Sequence, residues 1–193
     1  LYIHECGTTD VGAKLLEKMP QLTHLRLYQE GKLTDAALES IGKLRNLKSL
    51  DLTSYVGTIT YGRMYFTEKG TSHLAGLKKL EVLRLAGHDV SAKTLRVPRL
   101  TSLALGGQGV RDDCAVQLPK MSHLKNLSLS FSSITDEGMK HVASLKNLKR
   151  LSLDSSVITD EGMALLTGLP LVHLELRASK ITDTTLSHIA KIR

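Results

Sequence analysis

The chain has 193 residues, a formal net charge of +7, 41% hydrophobic residues and 4% aromatics. That length suits one ordinary domain or one repeat array, and no run of about 18 apolar residues is present to span a membrane. Two cysteines, Cys6 and Cys114, are too few for a disulfide framework.

In chain order, a short apolar alternation opens the sequence at Leu1-Tyr2-Ile3 and returns in fuller form as L-x-x-L-x-L. The pattern occurs at Leu22-Leu25-Leu27, Leu47-Leu50-Leu52, Leu80-Leu83-Leu85, Leu100-Leu103-Leu105, Leu124-Leu127-Leu129, Leu148-Leu151-Leu153 and Leu171-Leu174-Leu176. Alternating Leu-x-Leu is the period-2 mark of a short strand with one face buried. Another aliphatic follows each of several strands, at Val90, Val110, Ile134, Ile158 and Ile181, and re-enters the core. Thr-Asp pairs stand at Thr9-Asp10, Thr34-Asp35, Thr135-Asp136, Thr159-Asp160 and Thr182-Asp183. Thr and Asp are N-cap residues, and an acid in the first turn suits the helix dipole, so a short helix is predicted after each pair. From Leu124 to Leu171 the unit is written twice in tandem, with an identical Ile-Thr-Asp-Glu-Gly-Met run at Ile134 to Met139 and Ile158 to Met163. A period of about 24 residues marks a solenoid.

Two steps depart from the period. The short one, Leu83 to Leu103, contains Pro98 and leaves no room for a full helix, which predicts an extended or turn-like segment. The long one, Leu50 to Leu83, carries an insertion at Ser54 to Phe66, between a strand and a helix starting near Thr67-Glu68.

These motifs resemble the leucine-rich repeat, and within it the ribonuclease-inhibitor-like or cysteine-containing form found in F-box adaptors and bacterial repeat proteins. The resemblance covers essentially the whole chain. It implies an α/β horseshoe of about eight repeats, with a parallel sheet on the concave face and short helices on the convex face. The family's turn position, often Asn or Cys, here holds Cys6, Glu30, Tyr55, His88, Gln108, Ser132, Ser156 and Ser179. Only Cys6 matches, and the Ser hydroxyls offer similar hydrogen bonds. Residues 1–193 then form one repeat domain. Missing polar end caps lead to the expectation that it belongs to a longer chain or that a neighbouring chain covers the bare end, and the missing start Met fits a mature product or an excised piece.

In that architecture the non-Leu strand positions face the concavity. Charged and large residues gather at its two ends: His24, Arg26, Tyr28, Asp51 and Arg84 on one side, and Arg150, Asp154, Glu175 and Arg177 on the other. Small residues such as Ala104, Ser128 and Ser130 lie between. The insertion adds Tyr55, Tyr61, Arg63 and Tyr65, the residue types enriched at binding hot spots. These residues are the candidate partner-binding set. The opposing expectation is an exposed sheet kept polar, with charges paired across strands.

No catalytic constellation, cofactor motif or metal-ligand spacing is evident. His4 and His24 fall on adjacent predicted strands without a third ligand, and Gly106-Gly107-Gln108-Gly109 lacks the Lys of a phosphate loop. The expectation is a non-enzymatic module that binds another protein. The resemblance to F-box proteins adds the alternative of substrate recognition for a ubiquitin ligase. The basic charge adds nucleic-acid or other polyanion binding, which the even recurrence of Lys and Arg along the chain disfavours. Without a visible signal peptide, the expected location is cytoplasmic.

Overall fold

The computed structural model describes residues 1–4, 7–28, 33–53, 65–85, 89–90, 96–107, 109–154, 157–177 and 180–191; of Tyr65, Asp89 and Val90 it describes the backbone alone. Each Leu-x-Leu motif forms a strand: β1 (Tyr2–His4), β2 (His24–Tyr28), β3 (Ser49–Asp51), β5 (Val82–Leu85), β7 (Ser102–Leu105), β8 (Asn126–Ser128), β9 (Arg150–Ser152) and β10 (His173–Glu175). They pair in sequence order into one eight-stranded parallel sheet. Two further strands, β4 (Tyr65–Phe66) and β6 (Asp89–Val90), form a separate parallel pair. The strand leucines from Leu25 to Leu153 are buried, whereas Ile3, Leu174 and Leu176 at the sheet's two ends are only partly so. Among the described residues a short helix follows every strand of this sheet except β5: α1 (Asp10–Leu15), α2 (Asp35–Ile41), α3 (Glu68–Ser72), α4 (Asp112–Ala115), α5 (Asp136–Val142), α6 (Asp160–Ala164) and α7 (Asp183–Ile189). Between β6 and β7 the described residues are non-helical, with a turn at Pro98 and Arg99, as the short step requires; residues 91–95 of that step lie outside the description.

The Thr-Asp pairs do more than cap their own helices. Thr34, Thr67, Thr135, Thr159 and Thr182 each accept a hydrogen bond from a helix N–H in the first turn, at 3.2 or 3.3 Å. Each also donates its hydroxyl and its backbone N–H to the Asp of the preceding helix. Asp10 takes Thr34 at 2.7 and 2.9 Å, and Asp136 takes Thr159 at the same two distances. Asp35 with Thr67, Asp112 with Thr135, and Asp160 with Thr182 repeat the arrangement. One Thr hydroxyl therefore closes its own helix and clamps it to its neighbour. The Asp carboxylate reaches across to the third helical residue of the next unit. At Gly138 and Gly162 an added Cβ would stand 2.5 and 2.2 Å from the Oδ1 of Asp112 and Asp136. Across the short Leu83 to Leu103 step both halves of the clamp change together: α3 begins with Glu68 in the Asp position, and α4 is preceded by Arg111 in the Thr position. Thr9 departs from the cap expectation, since its side chain makes no capping bond.

At the last clamp Thr185 joins in. Its hydroxyl donates to Asp160 Oδ1 in a short contact, and the hydrogen bonds from Thr182 and Thr185 lower the Asp160 pKa from 3.8 to about 2. A carboxylate whose folded pKa is depressed stabilises the fold above its unfolded pKa and loses that contribution as pH falls through the folded one. The clamp between α6 and α7 should thus be fully engaged above pH 3.8 and release as pH falls through about 2. Thr185→Val should raise the Asp160 titration toward the ordinary value in a carboxyl NMR titration. An Asp160 that titrates normally in the parent chain contradicts this account.

Candidate binding surface

Strand register sets the concave face. Its central row runs Tyr2, Arg26, Asp51, Arg84, Ala104, Ser128, Ser152 and Glu175, each opposite the next across neighbouring strands. One flanking row runs His24, Ser49, Val82, Ser102, Asn126, Arg150 and His173. The charged-ends, small-middle profile expected from the sequence therefore lies along one continuous line.

At the first end, Asp51 is buried and both its oxygens are used. Arg26 Nε lies 3.0 Å and Arg84 Nη1 3.4 Å from Oδ2, while the Thr53 hydroxyl donates to Oδ1 at 2.6 Å. Asp51 is thus not an outward anchor; it fixes the two guanidinium groups on either side of it. The Arg26 guanidinium also stands 5.6 Å above the Tyr2 ring. Tyr28 is stacked on His4, with ring centroids 4.7 Å apart. The register sets His4 beside Tyr28 and His24 beside Ser49, so these two histidines do not form the neighbouring pair that adjacent strands suggested. His24 Nδ1 instead lies 2.9 Å from the Thr23 hydroxyl.

The far end carries paired charges. Arg177 donates its backbone N–H to Asp154 Oδ1 at 2.9 Å and places Nε 3.8 Å from Oδ2. Glu175 lies 3.1 Å from His173 Nε2, and hydrogen bonds from His173 and then Ser152 hold its carboxyl below the usual range. Arg150 is exposed, in register with Asn126 and His173. In the middle, Ser130 Oγ is 2.8 Å from Ser152 Oγ and accepts the Asp154 N–H at 3.2 Å, so the small residues form a linked hydroxyl strip. Ser132, in the family's Asn or Cys position, is buried and accepts the Ile134 N–H at 3.4 Å, the role predicted for it.

Tyr55, Tyr61 and Arg63 lie outside the described residues, and Tyr65 is described only as backbone in β4, paired with Asp89. Phe66, the last residue of the insertion, is 1% exposed and belongs to the core. It precedes Thr67 as Leu33 precedes Thr34, and so fills the repeat's own aliphatic position.

Phe131 was not among the sequence candidates. It directly follows Ser130 at the rim of the sheet, is 64% exposed, and has φ of 60°. The previous unit places Gly107, with φ of 115°, at the same point, and Gly107 N–H donates to the Phe131 carbonyl at 3.2 Å. Alignment of the repeats was the signal: Phe stands where the unit before it has Gly.

The family profile described as Leucine Rich repeat matches residues 120–143 and 144–166. Similar solved structures include a plant peptide hormone receptor, RGFR1, in complex with RGF2 (TM-score 0.63, 19% identity, 100% of this chain and 31% of that one). The chain has the fold of a leucine-rich-repeat solenoid. Two internalins from Listeria monocytogenes also align. One is internalin inlF (TM-score 0.60, 22% identity, covering 95% of this chain and 60% of that one). The other is internalin C2 (TM-score 0.53, 20% identity, covering 96% and 81%). The solenoid thus spans about a third of the receptor's length and 60% of inlF's. No curated protein matches it by sequence. Among the described residues of these leucine-rich repeats, no helix is long and apolar enough to cross a membrane, and no cluster of three or more His, Cys, Asp or Glu is placed to hold a metal ion.

Proposed function

We propose that this array is a protein-binding module that docks a partner across its concave sheet, with Phe131 as an apolar contact at the rim. Phe131 carries the reading. A bulky residue in the left-handed region costs roughly 1–2 kcal/mol, and this side chain is largely in water. A cost in the free protein that brings no core packing points to a use outside it. The hydroxyl strip beside it, Ser128, Ser130 and Ser152, has no long side chains to hold a partner off. The receptor of the same fold is described in complex with RGF2. On sequence grounds the surface extends to Tyr55, Tyr61, Arg63 and Tyr65. The cations do not favour a polyanion instead. The residues that enter the strands read Thr23, Lys48, Glu81, Thr101, Lys125, Lys149 and Val172, interrupted rather than concentrated.

A photo-crosslinking residue at Asn126, on the concave face, should give a discrete protein adduct in an extract of the source organism; the same residue at Lys140, on α5, should not. Phe131→Gly should remove that adduct while raising stability by about 0.5–1 kcal/mol, the relieved strain being partly offset by glycine's larger unfolded-state entropy. Equal labelling from both faces, or an adduct indifferent to Phe131→Gly, would sink the proposal.

A further inference from the structure

Arg26 and Arg84 sit on strands either side of Asp51, so their Cα atoms are about 10 Å apart, and both are tied to one carboxylate oxygen. Asp51 has no oxygen left for a partner, because its second one accepts from Thr53 and its side chain is 8% exposed. Both arginine side chains are 44% exposed. A guanidinium has five N–H donors, of which Asp51 engages few. The pair is therefore held in place, with donors left over, at the open end of the concave row.

We infer that the Arg26–Asp51–Arg84 row receives one carboxylate, from an Asp or Glu side chain of a protein partner. The inference rests on the proposed binding role and adds the chemistry of the contact. Two cations against one buried anion leave a local charge of +1, which a monoanion neutralises. A phosphate dianion would leave excess negative charge beside Asp51. Preorganised guanidinium groups suit carboxylates because the planar fork matches two oxygens and little rotamer freedom remains to be lost. Tyr2, 70% exposed under Arg26, gives the site an aromatic wall. The acids at the other end do not compete: Glu175 is four strands from Arg84, about 19 Å, and Glu175 and Asp154 are already paired with His173 and Arg177.

The test is an NMR titration of the arginine Nε–H signals of the full chain with acetyl-Gly-Glu-Gly-amide, acetyl-Gly-Gln-Gly-amide and inorganic phosphate. The Arg26 and Arg84 signals should shift saturably with the Glu peptide and at least tenfold more weakly with the Gln peptide. Arg84→Gln should weaken the Arg26 response at least tenfold; if that variant loses its dispersed spectrum, Arg84→Lys, which keeps the charge and loses the fork, should do the same. Equal responses to the Glu and Gln peptides overturn the inference, and so does saturation by phosphate at lower concentration than by the Glu peptide. A Glu-selective response in a chain that forms no concave-face adduct would retain the carboxylate site while the docking proposal fell. A concave-face adduct without a Glu-selective response would do the reverse.

Discussion

Gly42→Ala should destabilise the array by about 2–3 kcal/mol, the cost of forcing a methyl group into a packed site. Gly42 ends α2 in ordinary right-handed helical geometry, so its backbone angles would suit alanine. The obstacle is the next unit. An added Cβ would lie 2.7 Å from the His73 carbonyl oxygen, 3.1 Å from its carbon and 3.1 Å from the Leu38 carbonyl oxygen. These are backbone atoms and cannot rotate aside. Gly168 is the internal control, since nothing lies within 4 Å of the point where its methyl group would stand. Gly168→Ala should be neutral, or stabilising by up to about 1 kcal/mol through the unfolded chain. Urea unfolding of the two variants beside the parent measures both. Equal effects would mean that α2 and the turn at His73 are not in contact.

Leu127→Ala should cost about 3–4 kcal/mol, toward the upper part of the range for emptying a buried leucine site. Leu127 is 2% exposed in the middle of the sheet, between Leu103 and Leu151 in register. Leu174 holds the same place in the last strand but is only partly buried, with Leu151 on one side of it. Leu174→Ala should cost about 1 kcal/mol, because less apolar surface is lost. Its effect on amide hydrogen exchange should stay within β9, β10 and α7, since units of a solenoid touch only their neighbours. Equal costs at the two positions, or exchange changes that reach β2, would contradict a linear array.

The strands were legible because their signal is local: each Leu-x-Leu motif needs only its own few residues to declare itself. The Thr-Asp pairs were half legible. Their capping role is local, but the clamp links residues 22 to 32 positions apart, and nothing within one unit announces it. Pairing of Arg26, Asp51 and Arg84 across neighbouring strands was one of two readings open in the sequence, and the burial of Asp51 was not legible there. Register across the long Leu50 to Leu83 step joined the three residues, and burial then separated Asp51's role from that of the arginines. The β4–β6 pair was missed because two-residue strands carry no periodicity. Phe131 was missed because the aromatics of the insertion stand out in composition, while its own oddity is a backbone one, visible only against Gly107.

The clamp runs one way: the earlier unit supplies the carboxylate and the later one the Thr. A unit bearing both, such as Thr135-Asp136 or Thr159-Asp160, can be copied in tandem, and every new junction is correctly wired without a further substitution. A unit edged by Glu68 or Arg111 cannot be copied so freely. Gene duplication is thus easiest in the stretch where two units sharing an identical Ile-Thr-Asp-Glu-Gly-Met run already stand side by side. Lengthening there would extend the serine strip and move the C-terminal charges farther from the two arginines, so the reach of the surface can evolve separately from its chemistry.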